Sequence, residues 1–459
     1  MLFDYNYEFT AQTQVKTVTT TLVFLGHNLS PKSRASSTAP SARQSFPRSL
    51  TDAVTAHIRI PSEVCERIID FCVDHDDAVQ YPGISRDTLC NCALTGRSWL
   101  PRAQFHLYTK VCIESEDQLR KFSSTVRRNP TLARQVRQLE LSGKYSLHTE
   151  GAEDFWIYYA AVHLPPLPFL EKITLRYLPP AASRSFMVFT QFRKFTAVRN
   201  LWLASPRTLH AGDLGRILSP FPQLTQLSIT QANTTFAQPL PLPTPLPQHH
   251  KCTQLSSLHL DIPLKAGSSA MSEILEWFSE CPILKFTSLS CTQFRAGQHH
   301  NALRKLIQRC GHHLRHLNLE WPPVHQDLKP EYIDLQALSR LEWLAISHVK
   351  VCDIDRILSI IETLHLLGKK QLTLKLIFSR DAWPLQDSDW DMLNDRLLQP
   401  KGVHKIVLVF YAPLDPATTL PTVQTEMVRN IRRNMPNLSV TFRRNLVIQL
   451  NLVSTKIKY

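Results

Sequence analysis

Leu255-Ser256-Ser257-Leu258-His259-Leu260 is the stretch whose reading decides the fold. It spells apolar-x-x-apolar-x-apolar, and its last three residues alternate as a half-buried strand does. The pattern recurs as Val136/Leu139/Leu141, Leu170/Ile173/Leu175, Val198/Leu201/Leu203, Leu224/Leu227/Ile229, Leu314/Leu317/Leu319 and Leu341/Leu344/Ile346. Leu284/Thr287/Leu289 fits with one polar substitution. Val403/Ile406/Leu408 and Met435/Leu438/Val440 read as later copies, and a further one is blurred around Leu372-Thr373-Leu374-Lys375-Leu376. Successive starts up to Leu341 lie 26 to 34 residues apart. A short strand repeating at a period near 29 residues is the signature of a stacked array.

Helical segments fall between the strands. Ile274, Leu275 and Phe278 form one apolar face, and Leu303, Leu306 and Ile307 form another that ends at Gly311, a suitable C-cap. One such unit is too small to bury its own apolar face, so neighbours must stack. The expected architecture over 126–459 is therefore α/β: a solenoid, or horseshoe, of parallel strands with helices on the other side. The repeat leucines then point inward, and the residues between them face outward. Lys172, Arg176, Trp202, His259, His316, Asn318 and Trp343 stand at such outward positions. They are the candidate substrate-binding residues, because Trp and Arg dominate binding hot spots.

Composition narrows the chemistry. The chain has 12 glycines in 459 residues, well under the roughly 7% of ordinary proteins. It contains no G-x-G, G-x-S-x-G or G-x-x-x-x-G-K, and neither H-E-x-x-H nor C-x-x-C occurs. Dinucleotide turns, nucleophile elbows and phosphate loops need such glycines. No nucleophile–base or carboxylate pair stands out either, so the expectation is a protein that is not an enzyme and has no cofactor. The histidine pairs at 249–250, 299–300 and 312–313 do not read as metal sites, since adjacent side chains point apart. Cys65, Cys72, Cys90 and Cys92 match no standard zinc spacing.

The net charge is +14, from 52 Lys and Arg against 38 Asp and Glu. The excess is dispersed, which argues against a nucleic-acid arm. It concentrates only after Glu426, where seven basic residues from Arg429 to Lys458 meet no acid. Ten cysteines are too sparse for a disulfide scaffold and suit reduced thiols in the cytoplasm or nucleus. No apolar run reaches bilayer length.

Residues 1–56 have Ser, Thr and Arg without apolar periodicity and read as a disordered tail, and 238–248 as a Pro-rich loop. Residues 57–125 read as helical. Pro61 opens a run in which Val64, Ile68, Ile69 and Cys72 recur three and four apart. Leu89, Cys92, Ala93 and Trp99 follow, ending at Pro101. Phe105 to Ile113 is aromatic and β-branched and reads as a strand, and Asp117 to Arg128 as a helix stopped by Asn129-Pro130.

Two of these stretches resemble a known module. Ile60-Pro61-Ser62-Glu63-Val64-Cys65-Glu66-Arg67-Ile68-Ile69-Asp70 is similar to the L-P-x-E-[LV]-x-x-x-I opening of an F-box. Leu89-Cys90-Asn91-Cys92-Ala93-Leu94-Thr95-Gly96-Arg97-Ser98-Trp99 is similar to its L-x-x-[AC]-[AS]-L-V-[CS]-[KR]-x-W close. Asp74 to Asp87 separates the two halves, and Thr95-Gly96 replaces an apolar-Cys pair. Together with the repeats, the chain resembles an F-box protein with leucine-rich repeats, of the large fungal F-box-like group.

That resemblance implies docking onto the Skp-type adaptor of a cullin ubiquitin ligase while the repeats hold a protein substrate. It implies adaptor-facing roles for Ile60, Pro61, Val64, Ile68, Leu89, Leu94 and Trp99. The alternative is a binding scaffold without ligase function, in which the helical segment merely caps the repeat array.

Overall fold

The computed structural model describes residues 17–23, 61–74, 82–143, 156–178, 189–206, 211–230, 254–262, 270–281, 285–292, 300–320, 337–350, 353–355, 357, 372–378, 391–393, 395, 397, 403–414, 433 and 446–454. The Pro-rich loop, the copy at Met435 and most of the basic C-terminus lie outside them. The chain divides into two compact units. The larger comprises Met1–Leu25, Cys112–Arg134 and Gln138–Tyr459, and the smaller Gly26–Val111 and Gln135–Arg137.

The strands are β1 (Thr17–Val23), β2 (Lys110–Ile113), β3 (Gln138–Ser142), β4 (Lys172–Arg176), β5 (Asn200–Ala204), β6 (Gln226–Thr230), β7 (Ser257–Asp261), β8 (Ser288–Thr292), β9 (His316–Glu320), β10 (Trp343–Val349), β11 (Leu372–Phe378), β12 (Val403–Leu414) and β13 (Leu446–Ser454). They form one 13-stranded sheet in the order β1-β13-β12-β11-β10-β9-β8-β7-β6-β5-β4-β3-β2. From β3 to β13 every neighbouring pair is parallel, and β1 pairs antiparallel with β13.

This corrects the expected architecture. In place of a helical F-box-like segment followed by a separate leucine-rich-repeat horseshoe, the chain builds an α/β fold around one sheet with 11 parallel strands. That sheet draws on all three expected segments: β1 comes from the expected tail, β2 from the expected helical segment and the rest from 126–459. The physical reason is that backbone pairing at a sheet edge needs no repeat signature. Thr17-Val18-Thr19-Thr20-Thr21-Leu22-Val23 carries none, yet its β-branched residues favour extended backbone.

The register explains the periodicity. Leu139, Ile173, Leu201, Leu227, Leu258, Leu289, Leu317, Leu344, Leu374 and Ile406 are cross-strand partners in one row. Leu141, Leu175, Leu203, Ile229, Leu260, Cys291, Leu319, Ile346, Leu376 and Leu408 form the next. All of them are buried, and rows of this kind are how parallel strands share a core. One expected triplet is out of place. The residue three before Leu289 is Phe286, fully buried, while Thr287 donates its backbone N–H to Ser256 O. The copy is Phe286/Leu289/Cys291, not Leu284/Thr287/Leu289.

Hydroxyls fasten the starts of the middle strands. Thr225 Oγ1 donates to Arg199 O, Ser256 Oγ to Thr225 O and Thr287 Oγ1 to Ser256 O, at 3.2, 3.1 and 3.1 Å. At the other end, Tyr177, Ser205 and His348 each follow an outward strand residue in the left-handed region, with φ of 52°, 49° and 60°. Glycine usually takes such positions, and this glycine-poor chain bends there without it.

Helices α1 (Ser62–Asp74), α2 (Pro82–Thr95) and α3 (Leu100–Thr109) belong to the smaller unit. The expected strand from Phe105 is corrected: Pro101 sits in the first turn of α3, where its missing N–H costs nothing, and helix continues to Thr109. In the larger unit, α4 (Glu116–Arg128) starts on Ser115, whose Oγ accepts from Gln118 N–H at 3.3 Å. α5 (Pro130–Gln135) follows. The next helix, α6 (Trp156–His163), ends on two cations: Arg127 donates to His163 O and Lys194 to Leu164 O, at 2.8 and 2.5 Å. α7 (Ala211–Leu218), α8 (Ala270–Glu280) and α9 (His300–Cys310) lie between strands. Among the described residues, no helix is long and apolar enough to cross a membrane.

Candidate functional site

Two surfaces carry the residues that the sequence singles out, one on each unit. In the smaller unit, α1 has two adjacent stripes. Cys65 and Ile69, four apart, are buried. Val64, Ile68 and Phe71, at i, i+4 and i+7, are 44, 41 and 63% exposed. The sequence merges the two stripes into one apolar face, and the structure separates them. In α2, Leu89 and Cys92 are buried while Leu94 is 84% exposed. The inward residues Ile69, Leu89, Cys92 and Ala103 form a core, against which Ala93, Trp99 and Leu107 pack.

A bidentate ion pair joins α1 to α3. Arg102 donates Nε and a terminal nitrogen to Asp70 Oδ1 and Oδ2 at 2.6 and 2.9 Å, and His106 Nε2 lies 2.7 Å from Oδ1. The hydrogen bond from Arg102, joined by that of His106, holds the Asp70 carboxyl below its usual range against the opposing effect of burial.

Of the candidate adaptor-facing residues, then, Pro61, Val64, Ile68 and Leu94 are exposed, Leu89 belongs to the core, and Trp99 packs against it. Ile60 lies outside the described residues. Leu89 is corrected from a surface to a core role, because it falls on the inward face of α2. Sequence reasoning missed Phe71, Leu100 and Phe105, which are also exposed. The i, i+4, i+7 spacing of Phe71 from Val64 was the available signal.

On the larger unit, the outward residues of β4 to β10 form rows. One runs Lys172, Asn200, Gln226, Ser257, Ser288, His316, Trp343, and the next Thr174, Trp202, Ser228, His259, Ser290, Asn318, Ala345. The structure brings Lys172, Arg176 and Trp202 together. Lys172 Nζ lies 5.1 Å from the Trp202 ring centroid and Arg176 Cζ 5.6 Å, both cation–π contacts. Trp202 Nε1 donates to Thr230 Oγ1 at 2.8 Å. Arg176 Nε is 2.5 Å from Glu140 Oε1, an ion pair whose N–H is not aimed as a hydrogen bond.

His316 and Trp343 are direct cross-strand partners, and His259 and Asn318 flank Ser290 on opposite sides. Asn318 Nδ2 donates to Ser290 Oγ at 3.1 Å. Burial holds the His259 imidazole below its usual range, with Asp261 opposing. Ser228 and Ser290 flank His259 in register, but neither hydroxyl is hydrogen-bonded to it among the described residues, so no nucleophile–base pair is formed there. Among the described residues no three metal-binding side chains converge.

No protein-family model matches the chain. No curated protein matches it. Among solved structures, it is similar to an endo-1,4-beta-D-mannanase from Thermotoga petrophila RKU-1, with 10% identity, 68% of this chain and 89% of that chain covered, and a TM-score of 0.20. That neighbour is an enzyme, and the expectation that this chain is not one, which rests only on absent motifs, is withdrawn. At such a score the likeness transfers neither fold nor activity.

Proposed function

We propose that the protein is a substrate-recognition subunit of a Skp–cullin–F-box ubiquitin ligase. Helices α1 to α3 dock the Skp-type adaptor, and the outward face of the sheet holds a protein substrate. The observation that carries this reading is the exposure of Val64, Ile68, Phe71 and Leu94 on helices whose inward residues already fill a core. Large apolar side chains left exposed on so small a helical unit suit burial against a partner. The F-box-like wording of 60–70 and 89–99 supplies the kind of partner.

The test is co-purification with a Skp-type adaptor. Wild type should form a 1:1 complex with that adaptor, and deletion of 57–100 should abolish it. Ile68→Asp with Leu94→Asp changes only exposed positions, so it should remove binding while leaving the thermal transition within a few degrees of wild type. An unaltered complex in the double variant would refute the proposal and favour a scaffold in which these helices only cap.

A further inference from the structure

The outward face of the sheet is electrostatically graded. Lys172 and Arg176 place two cations on β4, one of them paired with Glu140 on β3. The outward residues of β5 and β6 are uncharged: Asn200, Trp202, Ala204, Gln226, Ser228 and Thr230. Asp261 on β7, whose Oδ1 accepts from Thr292 Oγ1 at 2.7 Å, and Glu320 on β9, whose Oε1 lies 3.7 Å from His348 Nε2, then place carboxylates at the same strand end as Arg176, since Arg176, Ala204, Thr230, Asp261 and Thr292 are successive register partners. Among the described strand residues, Lys cations return at Lys375 on β11 and Lys405 on β12, beyond the His348 imidazole on β10. Between the charged ends lie amide and hydroxyl side chains, half-buried or exposed, which suit a polar backbone laid over them.

We propose that this face takes an extended peptide segment running across the strands, with an acidic residue over Lys172 and Arg176 and basic residues over Asp261 and Glu320. This names the substrate class of the surface and rests on the receptor reading for the claim that the surface holds protein. Parallel strands lie about 4.8 Å apart, so β4 is about 14 Å from β7 and about 24 Å from β9. Extended chain covers roughly 3.3 Å per residue, so the two charged ends of the ligand stand about four to seven residues apart. Trp202 lies beside the acidic end and offers a ring already polarised by two cations.

Full-length protein, without adaptor, is titrated with fluorescein-labelled peptides and followed by anisotropy. Each peptide carries two Glu at one end and two Arg at the other, separated by two, four, six or eight Ser/Ala residues. The four- and six-residue spacers should bind tightest. Peptides with only one charged end, or with alternating charges, should bind roughly threefold to tenfold more weakly, since each exposed charge pair contributes modestly. K172E/R176E should lose that preference and gain affinity for a peptide with Arg at both ends, a gain that an unfolded variant cannot show.

Spacer-independent binding, equal binding of the alternating peptide, or no binding by any probe overturns the inference. A spacer optimum without an adaptor complex would refute only the ligase reading. An adaptor complex without the optimum would refute only this one.

Discussion

Gly311 follows α9, where a left-handed glycine is the ordinary C-cap, and the sequence is read that way. In the structure its φ lies outside the left-handed region, and its constraint is space: a Cβ at this position would sit 2.5 Å from the Ala337 carbonyl oxygen and 2.9 Å from the carbonyl carbon. Backbone cannot yield as a flexible side chain can, so Gly311→Ala should destabilise the protein by about 1–3 kcal/mol, as overpacking does. Gly96 is the opposite case. It lies just after α2, outside the left-handed region, and a Cβ there meets only Trp99 Cδ1 at 3.8 Å, an ordinary contact. Gly96→Ala should therefore stabilise by about 0.5 kcal/mol, by restricting the unfolded chain. Urea denaturation of the two variants beside wild type checks both signs. A glycine's neighbours across the fold are not written in its local sequence, which is why one residue type in similar helix-end contexts has two different meanings here.

At the level of elements, the rows of leucine were legible because each repeat supplies two inward residues at fixed spacing. β8 was not, since Phe286 and Cys291 fill its leucine places and Leu284 offers a decoy two residues early. The outward residues could be enumerated from strand alternation. Which of them meet could not, because cross-strand register depends on loops whose lengths vary. The union of Lys172, Arg176 and Trp202 appears only once β4 and β5 are aligned. The hydroxyls at the strand starts make a graded prediction. Ser256 O accepts from Thr287 N, Ser288 N and Thr287 Oγ1. Thr287→Val removes one donor and leaves two, so no carbonyl is stranded and the loss should be only about 0.5 kcal/mol, at the low end for a hydrogen bond.

The α1–α3 ion pair predicts a pH dependence. The Asp70 pKa is depressed in the folded state, so its contribution is fully present above the unfolded value, near 3.8, and is lost as pH falls through the lower folded value. Asp70→Asn should cost on the order of 1 kcal/mol at pH 6, discounted for the partial exposure of the pair. The gap from wild type should narrow as pH falls below 3.8, the unfolded value, towards the lower folded one. A gap that stayed constant from pH 6 until the protein unfolds in acid would show that the carboxylate charge does no stabilising there.

For the molecule as a whole, the decisive constraint is how a 13-stranded sheet ends. Stacked parallel strands leave an edge on each side, and an unpaired edge is a template for association with other chains. β13, with the sequence Leu446-Val447-Ile448-Gln449-Leu450-Asn451-Leu452-Val453-Ser454, carries no charge to discourage that. The chain pairs it with its own beginning: Thr17 to Val23 runs antiparallel along β13, Thr17 opposite Val453 and Val23 opposite Val447, which moves the open edge from the nine-residue β13 to a seven-residue strand with four threonines. This contact joins segments more than 400 residues apart in sequence, so it forms late, after the parallel strands between them are in place. Removing residues 1–25 should therefore leave the rest of the sheet folded but expose the full length of β13. The truncated protein should show concentration-dependent association in light scattering at micromolar levels, under conditions where the full chain stays monodisperse. A Lys placed at Gln449 in the truncated chain should reverse much of that association, because an edge charge disfavours strand addition. If truncation instead abolished the cooperative transition altogether, β1 would be part of the folding core and its role as an edge cover would be wrong.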